Sequence, residues 1–104
     1  MNTEDIAFTI IAHAGEARSI AYMALEEAKK NNFGKAEELI KKAKDEINQS
    51  HQSQTNLLVN EANGETASIN VLLIHSQDHL MTSMLAIELV QEIVSIYKKI
   101  FEKE

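Results

Sequence analysis

Two histidines and an aspartate fall within one short segment of the chain, His75-Ser76-Gln77-Asp78-His79. On a helix, side chains four residues apart share a face, so His75 and His79 would lie one above the other. Asp78 would lie one turn from His75, on the neighbouring stripe. The flanking residues are strongly apolar, and carboxylates are rarely buried without a partner. A polar cluster that interrupts an apolar pattern in this way indicates a functional site.

Three kinds of function suit this cluster. The spacing H-x-x-D-H is similar to the H-x-x-E-H pattern of some zinc peptidases, but those need a glutamate base, a further ligand and a substrate cleft. A neutral imidazole could instead accept a phosphoryl group and pass it on, which an ordinary histidine pKa of about 6.5 allows. The third possibility is a helical adaptor whose buried polar residues give pairing specificity. The isolated histidines, His13 and His51, are interpreted as structural or surface residues.

The composition argues against several classes of partner. The 104 residues include 10 basic and 16 acidic side chains, for a net charge of -6, and Arg18 is the single arginine. This balance disfavours nucleic acid and anionic membrane surfaces as partners. The absence of cysteine excludes disulfides, thiolate metal sites and a cysteine nucleophile. The N-terminus is acidic, unlike a signal peptide, and no continuous apolar run reaches the roughly 18 residues of a membrane span. We therefore expect a soluble cytoplasmic protein that does not insert into a membrane.

The elements that must position the cluster are predicted to be helices. There is no proline, and the three glycines are scattered, which disfavours an all-β domain or a phosphate-binding glycine loop. Turn signals at residues 31–34 and 62–65 divide the chain into three segments with apolar residues spaced three and four apart. We predict an all-α fold in one domain, residues 1–104. It would be an antiparallel three-helix bundle with helices at about 3–31, 35–62 and 69–103. The polar run 48–56 is predicted to continue the second helix, with a polar window on its inner face.

The third predicted helix is apolar on more than one side, so two partner helices could not cover it. One seam begins with polar residues and continues as ordinary core: His75, His79, Thr82, Ala86, Leu89, Ile93, Ile96 and Ile100. A neighbouring stripe, Ile74, Asp78, Met81 and Leu85, contains the misplaced carboxylate. We infer that this helix also packs against other subunits in the manner of a coiled coil.

At these residues the sequence resembles a known family. The segment Ile74-His75-Ser76-Gln77-Asp78-His79-Leu80-Met81-Thr82-Ser83 resembles the active-site motif of the enzyme IIA components of the lactose/cellobiose branch of the bacterial phosphotransferase system. The block Ala14-Gly15-Glu16-Ala17-Arg18-Ser19 is similar to the glycine-containing stretch of the family's first helix, and residues 51–64 are similar to its second helix. The resemblance covers essentially the whole chain. Ser76 stands where the family usually has Ala or Gly.

The resemblance implies a homotrimeric phosphoryl carrier. His75 would accept the phosphoryl group from the histidine-containing phosphocarrier protein (HPr) and pass it to a cysteine of enzyme IIB. Asp78 would lie near the threefold axis, where three copies would hold one divalent ion, for which we expect Mg²⁺. His79 and Gln77, and more weakly Gln54, are candidate hydrogen-bond partners of the phosphate. The sugar is expected to be a β-linked disaccharide such as cellobiose. The alternative from the residues alone is a small metal-binding or adaptor protein using His75, Asp78 and His79.

Overall fold

The computed structural model describes residues 2–65 and 68–104, and it contains three long helices. Helix α1 spans Thr3–Lys29, α2 spans Phe33–Ala62 and α3 spans Val71–Glu102. They form an antiparallel bundle measuring 57 × 20 × 19 Å, without a strand among the described residues. The predicted all-α class and the three helices are confirmed, and each predicted helix end lies within two residues of the observed one.

Local capping residues determine where the helices begin and end. The side chain of Asn2 accepts a hydrogen bond from the backbone N–H of Asp5, and Asn70 accepts one from the backbone N–H of Leu73. After α1 the chain reverses at Asn31, which has a positive φ of 66°. Gly34, predicted to belong to this turn, lies instead within the first turn of α2. The chain reversal between α1 and α2 therefore depends on Asn31, and not on Gly34 as the sequence had suggested.

Helix α1 packs against both other helices, whereas α2 and α3 meet less extensively. Its buried face consists mostly of alanine, and this lets the neighbouring helices approach closely: Ala7, Ile10, Ala14, Ala17, Ile20, Ala21, Ala24 and Ala28. Helix α2 continues through the polar run 48–56, as predicted. Ser50 is the one fully buried residue of that run, and its hydroxyl donates to the carbonyl of Ile10 over 2.8 Å. The predicted inner window is thus much smaller than expected, because most of the run faces outward.

Helix α3 buries one face against α1 and α2, formed by Leu73, Ser76, Leu80, Ser83, Ile87, Val90 and Val94. The prediction that the C-terminal half of the seam is ordinary core was wrong for the single chain. Leu89 is 53% exposed, Ile96 57% and Ile100 50%. The periodicity correctly indicated an apolar face, but that face points away from the other two helices.

The exposed residues form a continuous stripe along α3, which we call the outer stripe: Ile74, Asp78, Met81, Leu85, Leu89, Ile93, Ile96 and Ile100. At 3.6 residues per turn, Asp78 points roughly 200° away from the buried Leu80. By length and composition α3 is apolar enough to cross a membrane, although core helices of soluble proteins meet the same criterion. Only 28% of its most apolar window is buried within the chain. The apolar residues of α3 therefore exceed what one chain can cover.

Ser83 gives a test of the α3 packing. Its hydroxyl is fully buried and has no hydrogen-bond partner among the described residues. We expect Ser83→Ala to raise the free energy of unfolding by about 1 kcal/mol, because the substitution removes an unsatisfied buried group and favours the helix. Urea unfolding at a fixed protein concentration measures this. The control is Ser76→Ala, since the equally buried Ser76 hydroxyl donates to the Leu73 carbonyl over 2.6 Å and should yield no such gain. A Ser83→Ala protein less stable than wild type would contradict the expectation.

Candidate functional site

The two histidines of the cluster are brought together on α3, as their spacing predicts. Their rings are nearly parallel, with centroids 5.7 Å apart and an interplanar angle of 12°. They differ in environment, because His75 is exposed to solvent whereas His79 is partly buried. The exposed ring of His75 can be reached by another protein. The partly buried ring of His79 packs against α1 and lies parallel to that of His75. The pair is therefore asymmetric, with one accessible imidazole and one positioned imidazole.

Helix α1 contributes two features that sequence reasoning did not assign to the site. A Cβ atom on Gly15 would lie 3.3 Å from Nε2 of His79, so the imidazole rests directly beside the glycine. Burial, the Arg18 guanidinium and, more weakly, the charge of His75 lower the pKa of His79, while Asp78 opposes them. These influences favour the neutral form of His79. The signal that could have identified both α1 residues was their shared segment, which contains the single arginine of the chain.

The two glutamines proposed as phosphate partners, Gln54 on α2 and Gln77 on α3, meet where these two helices face each other. The Gln54 side-chain amide donates to Oε1 of Gln77 over 2.8 Å, joining α2 to α3. The Gln77 amide in turn donates to the Ser76 hydroxyl over 3.2 Å. Since Gln77 points roughly 200° around the helix from His75, one chain does not bring these glutamines to that imidazole. They instead border a cavity of about 300 Å³ between α2 and α3, otherwise lined mostly by leucine and isoleucine.

Asp78 is exposed and lies within the outer stripe, rather than being buried in the chain. No three His, Cys, Asp or Glu side chains are grouped as a metal site within the described part of the protein. The described part of one chain therefore does not bring His75, Asp78 and His79 together as a zinc site. The other two histidines lie elsewhere: His13 Nδ1 contacts Glu46 Oε1 at 2.5 Å between α1 and α2, and His51 is exposed. Both placements agree with their structural or surface interpretation.

Known proteins of similar sequence and structure are sugar phosphotransferase components. The family described as the PTS system, Lactose/Cellobiose specific IIA subunit, matches residues 5–98. The chain is 43% identical to the lactose-specific EIIA component of Staphylococcus epidermidis, over 95% of this chain and 98% of that protein. It superposes on the cellobiose-specific enzyme IIA of Bacillus anthracis with a TM-score of 0.96 and 44% identity, covering 100% of this chain and 95% of that one. The Escherichia coli IIA(Chitobiose) solved in complex with HPr has a TM-score of 0.83 and 35% identity, covering 96% and 97%.

The electrostatics of the site predict the titration of His79. In an NMR titration its imidazole should have a pKa below the reference value of 6.5, because burial and Arg18 disfavour the proton. Since the unfolded chain then binds the proton more tightly, His79 should reduce stability as the pH falls below that reference value. Arg18→Gln should raise the pKa of His79, whereas Arg18→Lys, which keeps the charge, should change it less. A His79 pKa that is unaffected by Arg18→Gln would contradict this account.

Proposed function

The chain belongs to the lactose/cellobiose-specific IIA family of the sugar phosphotransferase system, and we propose from that premise that it carries its phosphoryl group on His75. Proteins of this family are phosphotransferase components that receive phosphate from HPr. The observation that carries the choice of residue is the asymmetric histidine pair. His75 is exposed to an incoming partner, and its ring stacks on that of the neutral His79.

The reaction is an exchange of one nitrogen–phosphorus bond for another. A neutral His75 nitrogen attacks the phosphorus of phosphorylated HPr, its bond to phosphorus forms as the donor bond breaks, and the donor imidazole leaves neutral. In the second transfer a cysteine thiolate of enzyme IIB attacks the phosphorus, and the sulfur–phosphorus bond forms as the nitrogen–phosphorus bond to His75 breaks. His75 leaves as a neutral imidazole because its other ring nitrogen keeps its proton. Because little free energy separates donor and acceptor, the site contributes positioning and charge stabilisation.

His79 is proposed as the supporting residue of both transfers. A neutral imidazole carries one N–H, which can donate a hydrogen bond to a phosphoryl oxygen. Its proximity to His75 and its contact with α1 hold that donor in place. Within one chain Gln54 and Gln77 bind each other and do not reach His75. They remain candidate phosphate partners only for the His75 of a neighbouring subunit.

The acceptor assignment is tested by phosphorylation. Incubation with enzyme I, HPr and phosphoenolpyruvate should place an acid-labile, base-stable label on the wild-type protein, and His75→Ala should abolish it. His79→Gln should still be labelled, but more slowly, by roughly tenfold or more if the lost hydrogen bond acts mainly in the transition state. His51→Ala is the matched control, since it removes an exposed histidine away from α3.

Full labelling of the His75→Ala protein would refute the assignment. The same experiment separates the alternatives. A metal-binding protein would contain stoichiometric metal and take no label, and an adaptor would have neither metal nor label. No group of metal ligands within the described residues favours the first of these, and the family to which the chain belongs favours neither.

We further propose that the outer stripe joins three chains into a homotrimer through α3. The stripe has the three- and four-residue spacing of a coiled-coil seam, and its apolar members are about half exposed in the single chain. An exposed apolar face of this length is typical of a buried subunit interface. Parallel association about this stripe would bring the three copies of Asp78 together at the axis.

Three carboxylates at an axis require compensation. At a separation of about 4 Å and an effective dielectric constant of about 20, each pair repels by roughly 4 kcal/mol, so three pairs cost about 12 kcal/mol. That is comparable with the roughly 5–15 kcal/mol that stabilises a whole domain. Asp78 supplies hard oxygen ligands, and three of them with water suit Mg²⁺. We propose one Mg²⁺ per trimer, held by Asp78 of each chain, which would relieve this repulsion.

The role of Asp78 in assembly is tested by replacing it. Asp78→Leu should remain trimeric in sedimentation velocity and should be indifferent to a chelator, because apolar side chains often replace a buried charge cluster without loss of stability. Leu85→Asp is the matched control. It adds a second carboxylate to the outer stripe and should weaken association of the trimer. If Asp78→Leu sedimented as a monomer, the carboxylate–metal cluster would be holding the chains together, contrary to the proposal.

The proposed sugar is a β-linked disaccharide, namely cellobiose. The cellobiose-specific structure and the lactose-specific relative have nearly equal identity to this chain, 44% and 43%, so similarity alone does not separate the two sugars. The sugar itself is recognised by the membrane component of the system, while this chain handles the phosphoryl group. We place the protein in the cytoplasm, where its proposed partners HPr and enzyme IIB would meet it.

A further inference from the structure

Gly15 lies in the interior of α1, where glycine has no conformational advantage. Its φ is not positive, so the backbone does not require glycine. Glycine inside a helix is less favourable than alanine, because it loses more conformational freedom on folding. The buried face of the same helix is built mainly from alanine, including the nearby Ala14 and Ala17. The presence of glycine at this one position therefore needs a different explanation.

The explanation is the contact with His79. A methyl group on Gly15 would lie 3.3 Å from Nε2 of that imidazole, which is closer than nine in ten real contacts of this kind. The nearest atom belongs to the imidazole side chain of His79, and that side chain would have to give way. The ring would have to move by a few tenths of an ångström, and the methyl group would crowd Nε2. Either change would disturb the parallel arrangement with His75.

We propose that Gly15 is a positioning residue for phosphoryl transfer, because its missing side chain lets His79 lie against α1 with its ring stacked on His75. The inference rests on the function proposed above and adds a residue on a different helix to the site. Gly15 does not touch the phosphoryl group in this account. It acts through His79, whose hydrogen bond must be aligned at the moment of transfer.

The test compares Gly15→Ala with Gly34→Ala. Gly34 lies in the first turn of α2, and a Cβ atom there would meet nothing within 4 Å. Both substitutions favour a helix, which offsets the cost of moving the His79 ring in Gly15→Ala, so both proteins should stay folded, as circular dichroism can check. Gly15→Ala should slow phosphoryl transfer from phosphorylated HPr about tenfold, mainly in the single-turnover rate and less in the affinity for HPr. Gly34→Ala should transfer at the wild-type rate.

Two further measurements separate positioning from a general structural effect. In the unphosphorylated protein, the imidazole NMR signals of His79 should shift in Gly15→Ala and stay unchanged in Gly34→Ala. In a His79→Ala background, Gly15→Ala should add no further loss of rate, because the ring that it displaces is gone. The NMR result holds even if His75 is not the acceptor, so failure of this proposal and failure of the proposed function are distinguishable. A Gly15→Ala protein with wild-type transfer and unshifted His79 signals would overturn the inference.

Discussion

Helix α1 approaches α3 so closely that one methyl group at Gly15 would crowd the imidazole of His79. This approach depends on small side chains, because α1 presents mainly alanine to its neighbours and α3 places serines among its buried residues. The same proximity removes part of that ring from water and brings Arg18 near His79, and these are the main causes of its lowered pKa. The geometry and the charge state of the site thus have a common origin in the packing of two helices.

The second constraint is that α3 has two apolar faces and the chain covers only one of them. Its inner face meets α1 and α2, while the outer stripe stays about half exposed. A carboxylate near the N-terminal end of that stripe is tolerable in solvent but costly at an interface unless its charge is compensated. The proposed trimer and the proposed ion at Asp78 are therefore linked. A second and third chain would bury the exposed apolar residues, and the ion would compensate the carboxylates that this association brings together.

Local rules were sufficient to predict the helices and the pairing of the two histidines. The four-residue spacing of His75 and His79 fixed their shared face, and capping and turn residues fixed the helix ends to within two residues. Helical arithmetic could also have shown that Gln77 points away from His75, although the sequence interpretation grouped them. The single arginine marks the segment of Gly15 and Arg18, but their effect on His79 could not be derived from the sequence, because it depends on the register between α1 and α3. Periodicity likewise detects an apolar face, but not whether the same chain or another copy covers it.

Residues 75–79 meet different neighbours of α3 because successive residues of a helix point in different directions. His75 faces solvent, Ser76 faces the core, Gln77 faces α2, Asp78 lies on the outer stripe and His79 rests against α1. Each residue rotates by roughly 100° from the previous one, so about one and a half turns reach every neighbour of α3. Substitution of one residue leaves the directions of the others unchanged, whereas inserting one residue before the motif would redirect all of them. The order of these five residues, and not only their composition, therefore determines which neighbour each one meets.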